Sequence, residues 1–184
     1  MLTVNSPAKC QVVEVIDGDT LSLNYNGEIF KARLQWIDCP ETRKKNQNSD
    51  DLSVLEHWKY GLLAKEQLQK LLVNKVVTII PILKDIYGRW VVDCYISTNS
   101  DLLVKDSLSV NNNLQVILCS LGLAISYYLP TERYEYNDRE LALLLGVIQS
   151  TALSNRVKLS FWSCKNIIFP HNFRKMKFDS IASK

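Results

Sequence analysis

Histidine is scarce in this sequence, and the cysteines follow no metal-binding pattern. Only two of the 184 residues are histidine, His57 and His171, and the five cysteines include no C-x-x-C pair. Zinc sites and thiol redox motifs use such closely spaced ligands, so the sequence supports neither class. The odd cysteine count favours free, mostly buried thiols in a reducing compartment. Nothing places the histidines near acidic motifs, and we expect them at the surface or in satisfied positions.

The sequence also lacks a large charge excess, a long apolar run and an N-terminal leader. Its 22 basic and 19 acidic residues give a net charge of +3, which permits a nucleic-acid partner without arguing for one. No apolar run approaches the roughly 20 residues that span a bilayer, so no membrane association is predicted. The first residues have neither a basic nor an apolar leader region. We expect a cytoplasmic protein, or a secreted one if a leader was removed before Met1.

Apolar residues in the first part of the chain alternate as they do in β-strands. Strand-like segments run from Cys10 to Ile37 and are interrupted by Asp17-Gly18 and Asn26-Gly27. Both dipeptides favour tight turns because they tolerate positive φ. The runs at 76–82 and 90–96 are rich in β-branched residues and predict two further strands.

Helical spacing follows at three places in the chain. Leucines between residues 63 and 72 share one face, and a short helix is predicted from Leu114 to Leu121. A third helix is predicted from Asn137 to about Asn155, with Glu140 completing a capping box. Five strands with about three helices, in a chain of single-domain size, predict an α+β protein built on a five-stranded Greek-key OB-fold β-barrel.

Acidic residues cluster at the ends of two predicted strands. Asp17 and Asp19 lie in one turn, and Asp38 and Glu41 follow another strand. A hard cation such as calcium takes carboxylate and backbone carbonyl oxygens, which Asp19, Asp38 and the Cys39 carbonyl can supply. The Cys39 thiol is too soft to be a good ligand for such an ion. An ordinary hairpin turn is the alternative explanation of the first acidic pair.

Two arginines accompany these acidic motifs in the sequence. Arg33 lies five residues before Asp38, so strand alternation places the two on opposite faces unless a bend or bulge intervenes. Arg89 follows Gly88 in a turn, where its guanidinium can fork onto phosphate oxygens. A solvated surface arginine is the alternative for Arg89. Tyr87 either stacks on a base or is a half-buried barrel residue.

Seven short motifs, in register, resemble the staphylococcal nuclease (thermonuclease) family. They extend over roughly residues 10–163, and their joint order is far more specific than any one of them. The motifs are Val15-Ile16-Asp17-Gly18-Asp19-Thr20-Leu21, Arg33-Leu34, Ile37-Asp38-Cys39-Pro40-Glu41-Thr42, Tyr60-Gly61, Asp85-Ile86-Tyr87-Gly88-Arg89, Gly122-Leu123-Ala124 and Phe161-Trp162.

The resemblance implies a role for each candidate. Asp19, Asp38 and the Cys39 carbonyl would bind Ca²⁺, and Glu41 would be the general base that activates water. Arg33 and Arg89 would hold the scissile phosphate of a DNA or RNA substrate, with Tyr87 and Tyr128 contacting the nucleotide. These residue types suit phosphodiester hydrolysis, which needs an activated nucleophile and stabilised phosphate oxygens.

The chain departs from the family pattern around the nucleotide. Ile86 stands where a lysine is common, so one phosphate contact is missing. Tyr127 and Tyr128 are adjacent, and only Tyr128 is matched to a family tyrosine. The loop at 43–59 is longer than the pattern needs, and the segment at 97–113 looks inserted. Both border the expected cleft, where they would affect the choice of substrate.

The resemblance divides the chain into a nuclease-like domain at residues 1–164 and a basic, aromatic extension at 165–184. The extension either lies along a phosphate backbone or is a solvated or barrel-packed tail. We expect a monomeric, metal-dependent phosphodiesterase. The alternative is an OB-fold module that binds nucleic acid without hydrolysing it, and the presence of all five site residues favours the enzyme.

Overall fold

A computed structural model describes most of the chain in six stretches. These are residues 1–72, 74–97, 108–127, 138–154, 160–164 and 166–178. The expected cap Asn137, the expected helix end Asn155 and the expected substrate residue Tyr128 lie outside them, as does most of the segment at 97–113.

Seven strands lie within the described residues, and five of them close into a barrel. The strands are β1 (Ala8–Val15), β2 (Thr20–Tyr25), β3 (Glu28–Leu34), β4 (Ile37–Asp38), β5 (Val76–Lys84), β6 (Trp90–Ile96) and β7 (Ile125–Ser126). The barrel order is β1-β2-β3-β6-β5, with β3 and β6 parallel and the other neighbours antiparallel. The expected five-stranded OB-type barrel is confirmed.

The β2–β3 hairpin turns as its dipeptide predicts. Asn26 has φ 51° and Gly27 has φ 89°, and two successive positive φ values are the requirement of the tight turn that Asn-Gly favours. The strands that flank this turn pair without a register shift, from Tyr25 opposite Glu28 to Thr20 opposite Arg33. The register of this hairpin therefore determines the position of Arg33 near the end of β3.

Helices cover the barrel and carry part of its core. The α-helices of the described residues are α1 (Leu52–Leu72), α2 (Leu114–Ser120), α3 (Asp138–Ser154) and α4 (Pro170–Phe173), with 3₁₀ turns at Val110–Asn112 and Phe161–Ser163. Ala64, Leu68 and Leu72 of α1 are buried in the same cluster as the barrel strands. Burying each leucine contributes roughly 1.5–3 kcal/mol. None of the described helices is long and apolar enough to cross a bilayer.

Helix α1 begins earlier than its leucine spacing indicates. The Asp51 side chain accepts the Ser53 N–H at 2.8 Å, and the Asp51 carbonyl accepts the Leu55 N–H at 3.0 Å. Asp51 thus caps a helix that starts at Leu52. The prediction of a long loop at 43–59 is wrong beyond Asp51, because residues 52–59 are helical.

All five cysteines are free thiols, and four of them are buried. Burial raises the pKa of the Cys10 thiol to about 12, because a thiolate would be poorly solvated there. These thiols therefore act as small apolar core residues, as expected.

Candidate active site

An open cavity of about 560 Å³ lies between the β1–β2 turn, the end of β3 and the β5–β6 turn. It brings together five of the expected site residues, Asp19, Arg33, Glu41, Tyr87 and Arg89, which come from distant parts of the sequence. Its charged lining residues are Asp17, Asp19, Arg33, Glu41, Asp85, Arg89 and Arg174. Asp38 is buried beneath this surface, where it forms ion pairs with Arg33 and Arg174, two arginines that line the cavity.

The β1–β2 turn positions Asp19 through close packing. The Asp19 N–H donates to Asp17 Oδ1 at 3.1 Å, and Asp19 Oδ2 accepts the Cys39 N–H at 2.9 Å. Gly18 does not have positive φ, so the prediction that this turn uses a glycine for its positive φ is wrong. A Cβ at Gly18 would lie 2.7 Å from the Cys39 Cβ and 2.9 Å from the Ala64 Cβ. Glycine is therefore required at position 18 because a side chain there would clash with Cys39 and Ala64.

A bend brings Asp38 to the same side as Arg33. Trp36 has φ 60°, which breaks the strand alternation between the two residues. Arg33 Nη2 donates to Asp38 Oδ1 at 3.0 Å, and Arg33 also forms an ion pair with Asp19. The bend that this arrangement requires therefore lies at Trp36, before Ile37. Arg33 consequently lies between the two aspartates.

The backbone of Glu41 is held by a buried histidine. The Glu41 N–H donates to His57 Nε2 at 2.9 Å, and His57 Nδ1 lies 3.0 Å from the Ile168 carbonyl oxygen. Because a carbonyl oxygen only accepts, Nδ1 carries the proton and Nε2 is the acceptor. His57 is a satisfied histidine, as expected, and it lies beside an acidic motif, which nothing in the sequence indicated. Its burial lowers the pKa of His57 to about 4.

Helix α1 touches the Glu41 backbone directly at Gly61. A Cβ on Gly61 would lie 2.3 Å from the Glu41 carbonyl oxygen and 2.7 Å from the Pro40 carbonyl oxygen. No side chain fits there unless the helix or the loop moves. Gly61 and His57, both on α1, thus fix the position of Glu41 from one side.

Arg89 is oriented by a carboxylate four residues before it. Arg89 Nε donates to Asp85 Oδ2 at 2.7 Å, while Asp85 Oδ1 accepts the backbone N–H groups of Arg89 and Tyr87, both at 2.9 Å. Burial disfavours the charged form of Asp85, but the hydrogen bonds from Arg89 outweigh it and lower the pKa of Asp85. Gly88, with φ 77°, closes this turn.

The expected nucleotide contacts are only partly visible. Tyr87 is 77% exposed at the cavity edge, so it is not a half-buried barrel residue. Its ring lies 5.4 Å from the Arg89 guanidinium carbon. Tyr127, which was not matched to the family, lines the cavity. The missing lysine is replaced by the exposed side chain of Ile86.

A third arginine enters the site from the C-terminal extension. Arg174 Nη2 lies 2.7 Å from Asp38 Oδ2, and Arg174 Nη1 lies 2.9 Å from both Asp38 Oδ1 and Glu41 Oε1. The hydrogen bonds that Arg174 donates to Asp38 and Glu41 raise the pKa of Arg174 above its usual range. The sequence reasoning missed this residue, because it lies outside the family motifs among several other basic residues.

Like charges are crowded at the β1–β2 turn. Burial and the nearby charge of Asp19 raise the pKa of Asp17 to about 7. Burial opposes the charge of Arg33, but Asp19 and Asp38 raise its pKa, so its guanidinium stays charged. Arg33 pairs with Asp19 and Asp38, and Arg174 supplies a second positive charge at Asp38.

The donor set suits a hard divalent cation in its chemistry, since Asp19 and Asp38 offer carboxylate oxygens in an anionic pocket. In the geometry described, arginines hold those oxygens: Arg33 contacts both aspartates, and Arg174 contacts Asp38. Within the described part of the chain, no three His, Cys, Asp or Glu side chains are grouped as metal ligands. A cation would therefore need at least Arg174 to move from Asp38.

Comparisons with known proteins show the family to which this chain is similar. The model of the staphylococcal nuclease homologue family matches residues 31–164. An uncharacterized protein of Methanocaldococcus jannaschii is 31% identical over 167 residues, covering 83% of this chain and 72% of that protein.

Two further relatives have names that refer to nucleases. An uncharacterized endonuclease of Escherichia coli O157:H7 is 25% identical over 167 residues, covering 91% of this chain and 85% of that protein. A micrococcal nuclease of Shigella flexneri is 24% identical over 184 residues, covering 95% of this chain and 87% of that protein. The family match covers well over half of the chain, and this protein therefore belongs to the staphylococcal nuclease homologue family.

Proposed function

We propose that this protein is a calcium-dependent nuclease that hydrolyses phosphodiester bonds of DNA or RNA. The observation that carries the proposal is that one cavity is lined by Asp19, Arg33, Glu41 and Arg89 together. The family membership and the names of the two nuclease relatives support it.

Arg33 and Arg89 bind the scissile phosphate in this proposal. A guanidinium presents several N–H donors in a planar fork that matches phosphate oxygens. Arg89 keeps this geometry because Asp85 takes only its Nε and backbone N–H, which leaves both terminal nitrogens free of that ion pair. The arginines stabilise the charge that builds on the phosphate oxygens during attack.

Glu41 acts as the general base. Its side chain lines the cavity and is partly exposed, so a water molecule can approach it. Glu41 accepts the proton of the attacking water as the new P–O bond forms and the bond to the leaving oxygen breaks. His57 and Gly61 hold the Glu41 backbone and so restrict where this carboxylate can lie.

Asp19, Asp38 and the Cys39 carbonyl would hold Ca²⁺. When bound, the cation supplies a Lewis acid for a non-bridging phosphate oxygen and relieves the repulsion between the carboxylates. The Cys39 thiol donates to the Gly18 carbonyl oxygen at 3.1 Å, and burial raises its pKa well above the usual range. The thiol therefore stays protonated and leaves ligation to oxygen atoms.

Tyr87 is placed to contact the nucleotide beside the phosphate, because its exposed ring adjoins Arg89. We further propose that residues 1–164 form the catalytic domain and that 165–184 form an extension reaching the site through Arg174. All of the proposed groups come from one chain, so a monomer is sufficient for activity.

The test is cleavage of labelled single-stranded DNA and RNA by the purified protein, with calcium, with magnesium, or with chelator alone. We expect cleavage with calcium that chelator abolishes. The matched control is the Glu41→Gln, Arg89→Ala double variant, which keeps the barrel. Equal rates for the wild type and this variant would instead favour the binding module without hydrolysis, which a mobility-shift assay on the same oligonucleotides would then detect.

A further inference from the structure

A short C-terminal segment crosses the site and is anchored to α1. We define residues 166–178 as the C-terminal strap. The Phe173 ring stacks on His57 at a centroid distance of 3.8 Å, and the Ile168 carbonyl accepts the His57 Nδ1–H. Trp58 contacts both Phe173 and Phe178. These buried contacts make the strap a docked part of the fold.

The strap places one charged group on the carboxylates of the proposed cation site. The Arg174 guanidinium engages both oxygens of Asp38 and one oxygen of Glu41, at 2.7–2.9 Å. The Asp38 side chain is 0% exposed. Since Arg33 also donates to Asp38 Oδ1, both oxygens of this buried carboxylate are held by guanidinium groups.

Cation and guanidinium therefore need the same atoms. A divalent ion at Asp38 requires at least one oxygen that Arg174 now holds, and two positive charges within ion-pair distance of one carboxylate repel each other. We propose that Arg174 is a built-in competitor of the catalytic cation, so that the strap keeps the site closed until a divalent ion displaces the guanidinium. This inference rests on the proposed calcium-dependent function.

The displacement requires no unfolding of the strap. Arg174 follows Phe173 directly, and its side chain is 42% exposed although its tip is bound. Rotation of the side chain can release Asp38 while the Phe173 ring stays stacked on His57. Asp38 then keeps its ion pair with Arg33, so it is not left as an unpaired buried charge.

The competition predicts a measurable change in cation affinity. Calcium binding is measured by isothermal titration calorimetry on the full chain, for the wild type, Arg174→Gln and Arg174→Lys. We expect Arg174→Gln to bind calcium at least about tenfold more tightly, because charge-assisted hydrogen bonds no longer have to be broken. Lysine keeps the charge but loses the fork, so Arg174→Lys should lie between the two.

The control is Lys175→Gln, which removes an exposed positive charge at the next position. At physiological salt its effect should stay within about twofold, because an exposed charge is screened. Equal calcium affinity in the wild type and both Arg174 variants would overturn the competition and leave the nuclease proposal standing. Absence of calcium binding in every variant would overturn the competition and also remove calcium from the proposed function.

Discussion

Replacing Gly61 by alanine is expected to disturb the proposed general base without altering any group that reacts. The new Cβ would lie 2.3 Å from the Glu41 carbonyl oxygen and 2.6 Å from the Glu41 carbonyl carbon. Ordinary carbon–oxygen contacts begin at about 3.3 Å. The helix and the loop must therefore separate by about 1 Å. Both of the contacted Glu41 atoms belong to the backbone, so no change of side-chain rotamer can relieve the clash.

The two effects of this substitution act on different quantities. A misplacement of about 1 Å in a catalytic group can cost about a hundredfold in rate. Overpacking costs roughly 1–3 kcal/mol of stability, while alanine in place of glycine in a helix regains about 1 kcal/mol. We therefore expect Gly61→Ala to lose about a hundredfold in kcat and between about 0 and 2 kcal/mol in free energy of unfolding.

Gly146 provides a matched control within the same chain. It also lies inside a helix, α3, but a Cβ there would meet no atom within 4 Å. Gly146→Ala should leave kcat unchanged and raise stability by roughly 0.5–1 kcal/mol. Both variants are compared by calcium-dependent cleavage and by denaturant unfolding. If Gly61→Ala retained kcat within about twofold of the wild type, helix α1 would not be fixing Glu41, and the reasoning would fail.

Two further perturbations test how the site is supported. The pKa of His57 is lowered from 6.5 to about 4, so the unfolded chain binds more protons as the pH falls between these values; stability should drop by roughly 3 kcal/mol across that window. His57→Gln should flatten this dependence of stability on pH. If the free energy of unfolding, measured in urea, fell with pH as steeply in the variant as in the wild type, His57 would not be the group responsible. Asp85→Asn should lower kcat/KM about tenfold, because Arg89 loses its ionic partner, while stability changes by less than about 1 kcal/mol. Single-turnover kinetics at several salt concentrations measure this, and an unaltered kcat/KM would show that Arg89 needs no such support.

The barrel was predictable because its signals are local. The Asn26-Gly27 turn needs positive φ at both positions, and few other dipeptides tolerate this. Alternating apolar residues on either side then determine which face of each strand is buried. The order of the motifs, through the family resemblance, predicts one site for Asp19, Arg33 and Arg89, and the structure brings these three residues to one cavity.

Other features depend on tertiary contacts that leave no local pattern. The bend at Trp36 puts a non-glycine residue at φ 60°, which nothing in its sequence indicates. Arg174 lies among several basic residues of a tail, and only the packing of Phe173 against His57 brings it to Asp38. The capping role of Asp51 was readable in principle, since Asp before a helical pattern is a start signal. The first turns of this helix were missed because Leu52 and Leu55 are exposed and give no clear apolar face.

The most direct test of the proposed chemistry is the single-turnover rate of calcium-dependent cleavage by Glu41→Gln. The substitution removes the basic carboxylate and keeps a side chain of nearly the same size that can still accept the Arg174 hydrogen bond. We predict a rate loss of about a hundredfold or more, with a substrate affinity close to that of the wild type. A cleavage rate equal to that of the wild type would contradict the assignment of Glu41 as the general base.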